Sequence, residues 1–241
     1  MTGPKAELAL ANAIVAREGV VDAWGHVSMR TPGGVTDFLL SAAVPPSLVT
    51  EDDILEVDVA NGEVIGDGKT YLERHIHAAI YRERPDVGAV VHCHTAELLP
   101  FGVTGQPIVP LSHTDAFLAD GCPVFEIRDA CVETDTMLVD SGKLGDALAR
   151  ALGGAPVILM RGHGATVVGA DLREAVYRAI YLRHAAVLQL AAIALGDVRP
   201  LSDAEAREMA KALGATADRS WNYWRSRISE RRPSIEGVDN D

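Results

Sequence analysis

The sequence predicts a β-sheet covered by α-helices, an α/β or α+β layer architecture with many antiparallel strand pairs. Short apolar or alternating runs, which are typical of strands, cluster early in the chain, and helical patterns alternate with strand patterns afterwards. No linker-like segment, shift of composition or internal repeat divides the 241 residues. We therefore expect a single domain over residues 1–228, followed by a polar, disordered tail over 229–241.

Turn signals divide the N-terminal half. An amphipathic pattern ends at Gly19, a Thr-Pro-Gly-Gly turn separates two strand-like runs, and Asn61-Gly62 closes an alternating run as a hairpin turn does. The elements predicted here are a helix over 6–18, strands over 25–30, 37–41 and 54–59, and a helix over 70–84.

Apolar runs and helix caps divide the C-terminal half. Two apolar runs, one after Pro85 and one after a Gly-Gly pair, predict buried strands. Asp171 with Glu174, and Ser202 with Glu205, have the spacing of capping boxes that open helices. The elements predicted here are strands over 88–94 and 155–160, helices over 143–152, 171–195 and 202–227, and a mixed segment over 108–127.

The composition argues against several classes of partner. A net charge of −12 disfavours nucleic acid, which requires a basic surface, and an anionic membrane surface. No secretion signal is visible, and the longest apolar stretch, over 185–195, is interrupted by Gln189 and is short for a membrane span. Three cysteines without Cys-x-x-Cys spacing suit a reducing compartment. We therefore expect a cytoplasmic protein.

Three histidines carry the strongest functional signal. His92 and His94 are two positions apart on a predicted strand, so their side chains leave one face while Cys93 points to the other. His163 follows the second apolar run within a Gly-His-Gly turn. Three converging imidazoles would bind a divalent metal with an open position, which is typical of catalysis. Zn, Mn, Fe and Co all suit these ligands.

These residues also have structural interpretations, because a single buried histidine is most often a hydrogen-bonded core residue. The glycine turn around His163, with Glu73 and His77 upstream, favours the metal site. Glu73 would be a proton-transfer group beside the metal or, alternatively, the capping-box partner of Thr70. His77, one helical turn further on, would orient Glu73, support the site from outside, or pack in the core.

Three motifs occur in an informative order and spacing: Leu-Glu-Arg-His-Ile-His with Arg-Pro-Asp and His-Cys-His over 72–94, Arg-Gly-His-Gly over 161–164, and Gly-His-Val-Ser over 25–28. Together they resemble the class II aldolase/adducin superfamily, from about residue 8 to about residue 195. The resemblance implies a three-layer α/β/α fold with a central, mainly antiparallel sheet. It also implies a homotetramer with active sites at subunit interfaces.

The resemblance also implies roles for individual residues. The metal would be bound by His92, His94 and His163, with Glu73 as a further ligand or as the proton-transfer group. Ser28 would contact substrate or, by default, form a hydrogen bond within its own turn. Arg161 would bind substrate or, equally, be an ordinary surface charge at the end of a strand. The candidates for binding a substrate carboxylate are His26, Arg74, Arg161 and His113.

The departures from the family pattern concern phosphate. Phosphosugar members hold phosphate with hydroxyl and amide donors at three places. In this sequence those places are occupied by His26, Ala42-Ala43 and Tyr71-Leu72. We therefore expect a pocket that rejects phosphosugars and accepts a flat ring.

The motifs most resemble a branch of the superfamily that decarboxylates hydroxylated aromatic or pyridine dicarboxylates. Loss of CO2 beside a hydroxyl leaves a carbanion that a metal on the adjacent oxygen stabilises, and the vacated carbon then needs a proton. We predict such a metal-dependent decarboxylase, with a small-molecule carboxylate substrate. One alternative is an aldolase acting on an unphosphorylated sugar or hydroxy acid. The other is a non-enzymatic, adducin-like assembly domain, which the intact histidine trio disfavours.

Overall fold

The computed structural model describes residues 3–131, 136–214 and 217–229. In these ranges the strands are β1 (His26–Arg30), β2 (Asp37–Ser41), β3 (Ile54–Asp58), β4 (Ala89–Cys93), β5 (Val124–Phe125), β6 (Val157–Met160) and β7 (Gly164–Gly169). The helices are α1 (Pro4–Arg17), α2 (Arg74–Glu83), α3 (Leu99–Thr104), α4 (Ile127–Ala130), α5 (Gly142–Leu152), α6 (Leu172–Leu195), α7 (Asp203–Gly214) and α8 (Ala217–Ser229).

The strands form one sheet in the order β3-β2-β1-β4-β7-β6-β5. All neighbours pair antiparallel except β5 and β6, which are parallel. Side chains alternate across each strand, so that Val91 and Val167 face a layer that contains α1, α6 and α8, whereas Val90 and Val168 face α2 and α5. This confirms the three-layer α/β/α fold with a mainly antiparallel sheet.

The helix predicted over 70–84 begins four residues late, at Arg74. Thr70 instead pairs with Ala42 in an antiparallel bridge, and its hydroxyl donates to the carbonyl of Ser41 at 2.7 Å. These contacts hold the backbone before the helix in an extended form. The capping-box interpretation of Thr70 and Glu73 was therefore wrong, and the Glu73 side chain is available for another role.

The helix expected over 202–227 corresponds to α7 and α8, and residues 215–216 between them lie outside the described residues. Strand β7 was not predicted, although its Thr166-Val167-Val168 run is rich in β-branched residues. Apart from Ser229, the last residue of α8, the predicted disordered tail lies outside the described residues.

Helix α6 has 24 residues and is long and apolar enough, by length and composition, to cross a membrane. The apolar stretch is thus longer than the sequence pattern indicated. Residues such as Val176, Ile180 and Leu182 are buried in the layer beside the sheet, while Leu188 and Leu195 near its end are exposed. The first half of the helix is therefore part of the core of this fold.

Candidate metal centre

Strand β4 places two histidines of the centre. His92 leaves the face that Val90 also uses, and Cys93 packs into the opposite layer, as predicted. The strand ends at Cys93, so His94 lies just beyond it. The Nε2 atoms of His92 and His94 are nevertheless 2.9 Å apart. Both rings therefore point at the same place.

The turn between β6 and β7 brings in His163. Gly162 has a φ of +68°, which glycine adopts without strain. Gly164 lies so close to β4 that a Cβ there would overlap the carbonyl oxygen of Cys93. Because both glycines let the turn fold back onto β4, the Nε2 atom of His163 lies 2.9 Å from that of His94.

Glu73 completes the cluster from the start of α2. Its Oε2 atom is 3.3 Å from Nε2 of His92, 3.4 Å from that of His163 and 3.8 Å from that of His94. Its Oε1 atom accepts a hydrogen bond of 3.2 Å from the backbone N–H of Val139. The carboxylate is therefore buried and aimed at the three imidazoles.

These four groups fit a divalent metal. A tetrahedral site with metal–ligand bonds of about 2.0–2.1 Å places its ligand atoms roughly 3.3 Å apart, close to the separations given above. The outer ring nitrogen of His163, Nδ1, donates to the carbonyl of Met137 at 2.8 Å, and that of His92 lies 3.2 Å from the hydroxyl of Thr166. Such outer bonds leave the Nε2 atoms free to bind metal.

Burial and charge favour the metal-binding forms of His92 and Glu73, whereas His163 must lose a proton that Glu73 stabilises. Burial lowers the pKa of His92 and so keeps its imidazole neutral. Burial alone would raise the pKa of Glu73, but His92 and the other two imidazoles hold it well below its ordinary value. Burial opposes protonation of His163, yet the Glu73 carboxylate raises its pKa. A neutral imidazole and an ionised carboxylate are the forms that bind metal ions.

His26 lies beside the cluster on β1. It is the cross-strand partner of His92, and the two ring centroids are 5.0 Å apart. Its Nδ1 atom is 2.7 Å from Nε2 of His77, whose Nδ1 atom is 2.6 Å from the hydroxyl of Ser28. Both ring nitrogens of His77 are therefore engaged, so neither is left to orient Glu73.

The other predicted substrate-binding residues do not join this cluster. Arg74 forms an ion pair of 3.0 Å with Glu63. Arg161 follows β6 and forms an ion pair with Glu126. His113 begins a short 3-10 helix and lines a separate small cavity between that helix, α6 and α7. A role of these three residues in substrate binding stays a prediction.

Tyr71 occupies one of the places that the family resemblance assigned to phosphate binding. The hydroxyl of Tyr71 donates to the carbonyl of Val44 at 2.7 Å and lies 3.0 Å from the hydroxyl of Ser41. Its ring lies 4.4 Å from that of His26. The tyrosine therefore joins the loop after β2 to the edge of the centre and presents a ring there.

Three residues around the centre were not predicted from the sequence: Thr166, Val139 and Tyr81. Thr166 contacts His92 because of the register between β4 and β7, and β7 was not expected. Val139 acts through its backbone N–H, which leaves no side-chain signal. The hydroxyl of Tyr81 lies 2.8 Å from that of Ser28, a contact that depends on how α2 packs on β1.

Residues 6–190 match the family described as Class II Aldolase and Adducin N-terminal domain. The chain belongs to this family.

Relatives within the class II aldolase and adducin family include lyases of two kinds. The chain is 34% identical to decarboxylase tropJ of Talaromyces stipitatus over 236 residues, which cover 88% of each protein. It is 29% identical to 3,4-dihydroxyphthalate decarboxylase of Arthrobacter keyseri over 246 residues, which cover 94% of each. The structure of L-fuculose 1-phosphate aldolase from Glaciozyma antarctica PI12 matches with a TM-score of 0.77 and 25% identity, covering 94% of this chain and 90% of that one.

Proposed function

We propose that this protein is a divalent-metal-dependent decarboxylase of a hydroxylated aromatic or pyridine (di)carboxylate. The observation that carries the proposal is the convergence of His92, His94, His163 and Glu73 on one point, beside a rim where Tyr71 replaces phosphate-binding donors. The similarity to tropJ and to 3,4-dihydroxyphthalate decarboxylase supports a carboxy-lyase rather than an aldehyde-lyase.

In this proposal the three histidines hold the metal. When bound, the metal supplies Lewis-acid stabilisation of the substrate oxygen next to the carboxylate that is lost. Glu73 removes the proton from the ring hydroxyl as the substrate binds. After the carbon–carbon bond breaks and CO2 leaves with no bonding electrons, the same carboxyl returns that proton to the ring carbon. The product is a phenolate, and Glu73 is again ionised.

The neighbouring side chains would select the substrate. The rings of Tyr71 and His26 face a planar substrate, and His26 binds a substrate carboxylate. A phosphate dianion placed beside Tyr71 would lose water without gaining matching donors, which costs several kcal/mol. Phosphosugars should therefore bind poorly.

We further propose a cytoplasmic homotetramer with active sites at subunit interfaces and with neither nucleic acid nor membrane as partner. The exposed apolar side chains Leu188, Ile193 and Leu195 on the second half of α6 favour contact with another subunit, because such patches are commonly covered by assembly. Free cysteines 93, 122 and 131 are consistent with a reducing compartment.

Two other functions are alternatives that the experiment described below would distinguish. The structural match to L-fuculose 1-phosphate aldolase favours retro-aldol cleavage of an unphosphorylated sugar or hydroxy acid as the second candidate. A non-enzymatic, adducin-like assembly role has less support, because an assembly domain does not need a convergent metal-binding cluster.

The test is a screen of the purified protein after its metal content is measured. CO2 release is followed with hydroxyphthalates, hydroxybenzoates and pyridine dicarboxylates, and aldol cleavage is assayed in parallel. We expect metal-dependent CO2 release from an ortho-hydroxy acid, and weak inhibition at most by fuculose and ribulose phosphates. Aldol cleavage without CO2 release would establish the aldolase instead, and absence of bound metal with both assays negative would favour the assembly domain.

A further inference from the structure

A continuous chain of polar side chains runs from the metal centre into the protein interior. His26 Nδ1 lies 2.7 Å from His77 Nε2, His77 Nδ1 lies 2.6 Å from the hydroxyl oxygen of Ser28, and that oxygen lies 2.8 Å from the hydroxyl of Tyr81. All four residues are buried. The chain lies between β1, which carries His26 and Ser28, and α2, which carries His77 and Tyr81 one turn apart.

His77 and Tyr81 are neutral inside the protein. Burial lowers the pKa of His77 to about 3 and raises that of Tyr81. A neutral imidazole has one N–H and one acceptor nitrogen, and a hydroxyl has a single hydrogen. The bonds therefore align in one of two directions, either all toward His26 or all toward Tyr81.

The direction of the bonds decides what His26 offers to a ligand. When they run toward His26, Tyr81 donates to Ser28, Ser28 to His77, and His77 to Nδ1 of His26. The hydrogen of His26 is then on Nε2, the ring nitrogen that the chain does not use. An anionic group that accepts this N–H stabilises the same direction, because aligned hydrogen bonds polarise and strengthen one another.

We propose that Ser28, His77 and Tyr81 are positioning residues, which hold His26 with its Nε2–H available to a substrate carboxylate. The inference rests on the proposed function, since it names how that site would recognise a carboxylated ring. Arg74 and Arg161 already form ion pairs, with Glu63 and Glu126 respectively. The proposal therefore assigns the substrate carboxylate to His26. A neutral donor would thus provide selectivity for the carboxylate.

The experiment compares two probes with the metal-loaded protein: 2,3-dihydroxybenzoate, and catechol, which lacks the carboxylate. Dissociation constants are measured by calorimetry for the parent and for Ser28→Ala and Tyr81→Phe, with metal content checked for each. We expect both variants to bind the acid about fivefold or more weakly, the scale of a weakened hydrogen bond to a charged group. Catechol should bind them as it binds the parent.

Controls separate positioning from a general loss of packing. Tyr177→Phe removes another tyrosine hydroxyl, one that donates to the carbonyl of Thr114 at 3.1 Å, and it should leave both constants unchanged. Ser28→Thr keeps the hydroxyl and should retain the preference for the acid. If the ratio of the dissociation constants for the acid and for catechol is unchanged in Ser28→Ala and Tyr81→Phe, these hydrogen bonds have only a structural role and the proposal is wrong. If the parent protein binds neither probe, the proposed function itself is wrong.

Discussion

The Nδ1 atom of His92 lies 3.2 Å from the hydroxyl oxygen of Thr166, its cross-strand partner on β7. The same hydroxyl donates toward the sulfur of Met160. Because its single hydrogen is used there, the oxygen is left to accept the N–H of His92. This arrangement fixes the tautomer of His92 in which Nε2 carries the lone pair for a metal.

We therefore predict that Thr166→Val weakens metal binding without unfolding the protein. Valine has nearly the shape of threonine but cannot accept the hydrogen bond, and loss of such an outer partner typically costs about 10- to 100-fold in metal affinity. The affinity is measured by competition with a chelating indicator. Thr104→Val, which removes the hydroxyl of an exposed threonine, serves as the control. Equal affinity in the two variants would show that Thr166 does not support His92.

Replacement of the metal-binding histidines tests the centre more directly. We expect His92→Ala, His94→Ala and His163→Ala each to lose bound metal and activity while the fold survives, because each removes a ligand of an otherwise retained cluster. Metal content by mass spectrometry and the circular dichroism spectrum are the measurements. His184→Ala, on α6 in the opposite helical layer, should keep its metal. Near-stoichiometric metal in His163→Ala would show that the third ligand is assigned wrongly.

Glu73→Gln separates metal binding from proton transfer. Glutamine keeps a carbonyl oxygen that can accept the Val139 N–H, so we expect the site to stay largely intact and to retain metal. Turnover should fall by a factor of roughly 10² or more, the scale of a lost acid/base group. Glu63→Gln, which changes the partner of Arg74, is the matched control. Near-normal turnover in Glu73→Gln would show that a group other than Glu73 transfers the proton.

The centre could largely be predicted from sequence because its signals are local. The spacing of His92 and His94 on a strand, and the glycines around His163, determine where those rings point. Layer architecture was predictable for the same reason, since strand and helix periods are read over short windows. The sequence also resembled a family whose fold the structure confirms.

The contacts that could not be predicted depend on how strands pair and helices pack in the folded protein. Thr166 supports His92 only because β7 pairs with β4 in one register. Tyr81 reads as an ordinary residue of an amphipathic helix until the packing of α2 on β1 brings it to Ser28. The pairing of Arg161 with Glu126 joins residues far apart in the sequence, and no local pattern indicates it.

The turn that carries His163 should tolerate no side chain at Gly164. In Gly164→Ala the added methyl would overlap the Cys93 carbonyl, and relief would move β7 away from β4. We expect the free energy of unfolding to fall by about 1–3 kcal/mol or more, as for other overpacked sites, together with weaker metal binding. Urea unfolding measures this. Gly142→Ala, where a Cβ meets no atom within 4 Å, is the control, and equal stability of the two variants would contradict the close approach.

The buried histidines should make the metal-free protein sensitive to acid. His26, His77 and His92 all have lowered pKa values because of burial. Below the ordinary value of 6.5 the unfolded chain takes up protons that the folded protein does not, until the pH approaches the folded value, about 3 for His77. The stability that depends on these three histidines being neutral is therefore full above pH 6.5 and is lost as the pH falls. Each such group contributes about 1.4 kcal/mol per pH unit within its window.

Urea unfolding of the chelator-treated protein between pH 6.5 and pH 5, at constant salt and protein concentration, measures this loss. His77→Gln should show a shallower pH dependence than the parent, by about one proton, because one of the buried groups no longer titrates. Thr104→Val changes no titratable group and should keep the slope of the parent. If His77→Gln kept that slope as well, His77 would be protonated in the folded protein. The hydrogen-bond chain from Tyr81 to His26 would then not be neutral.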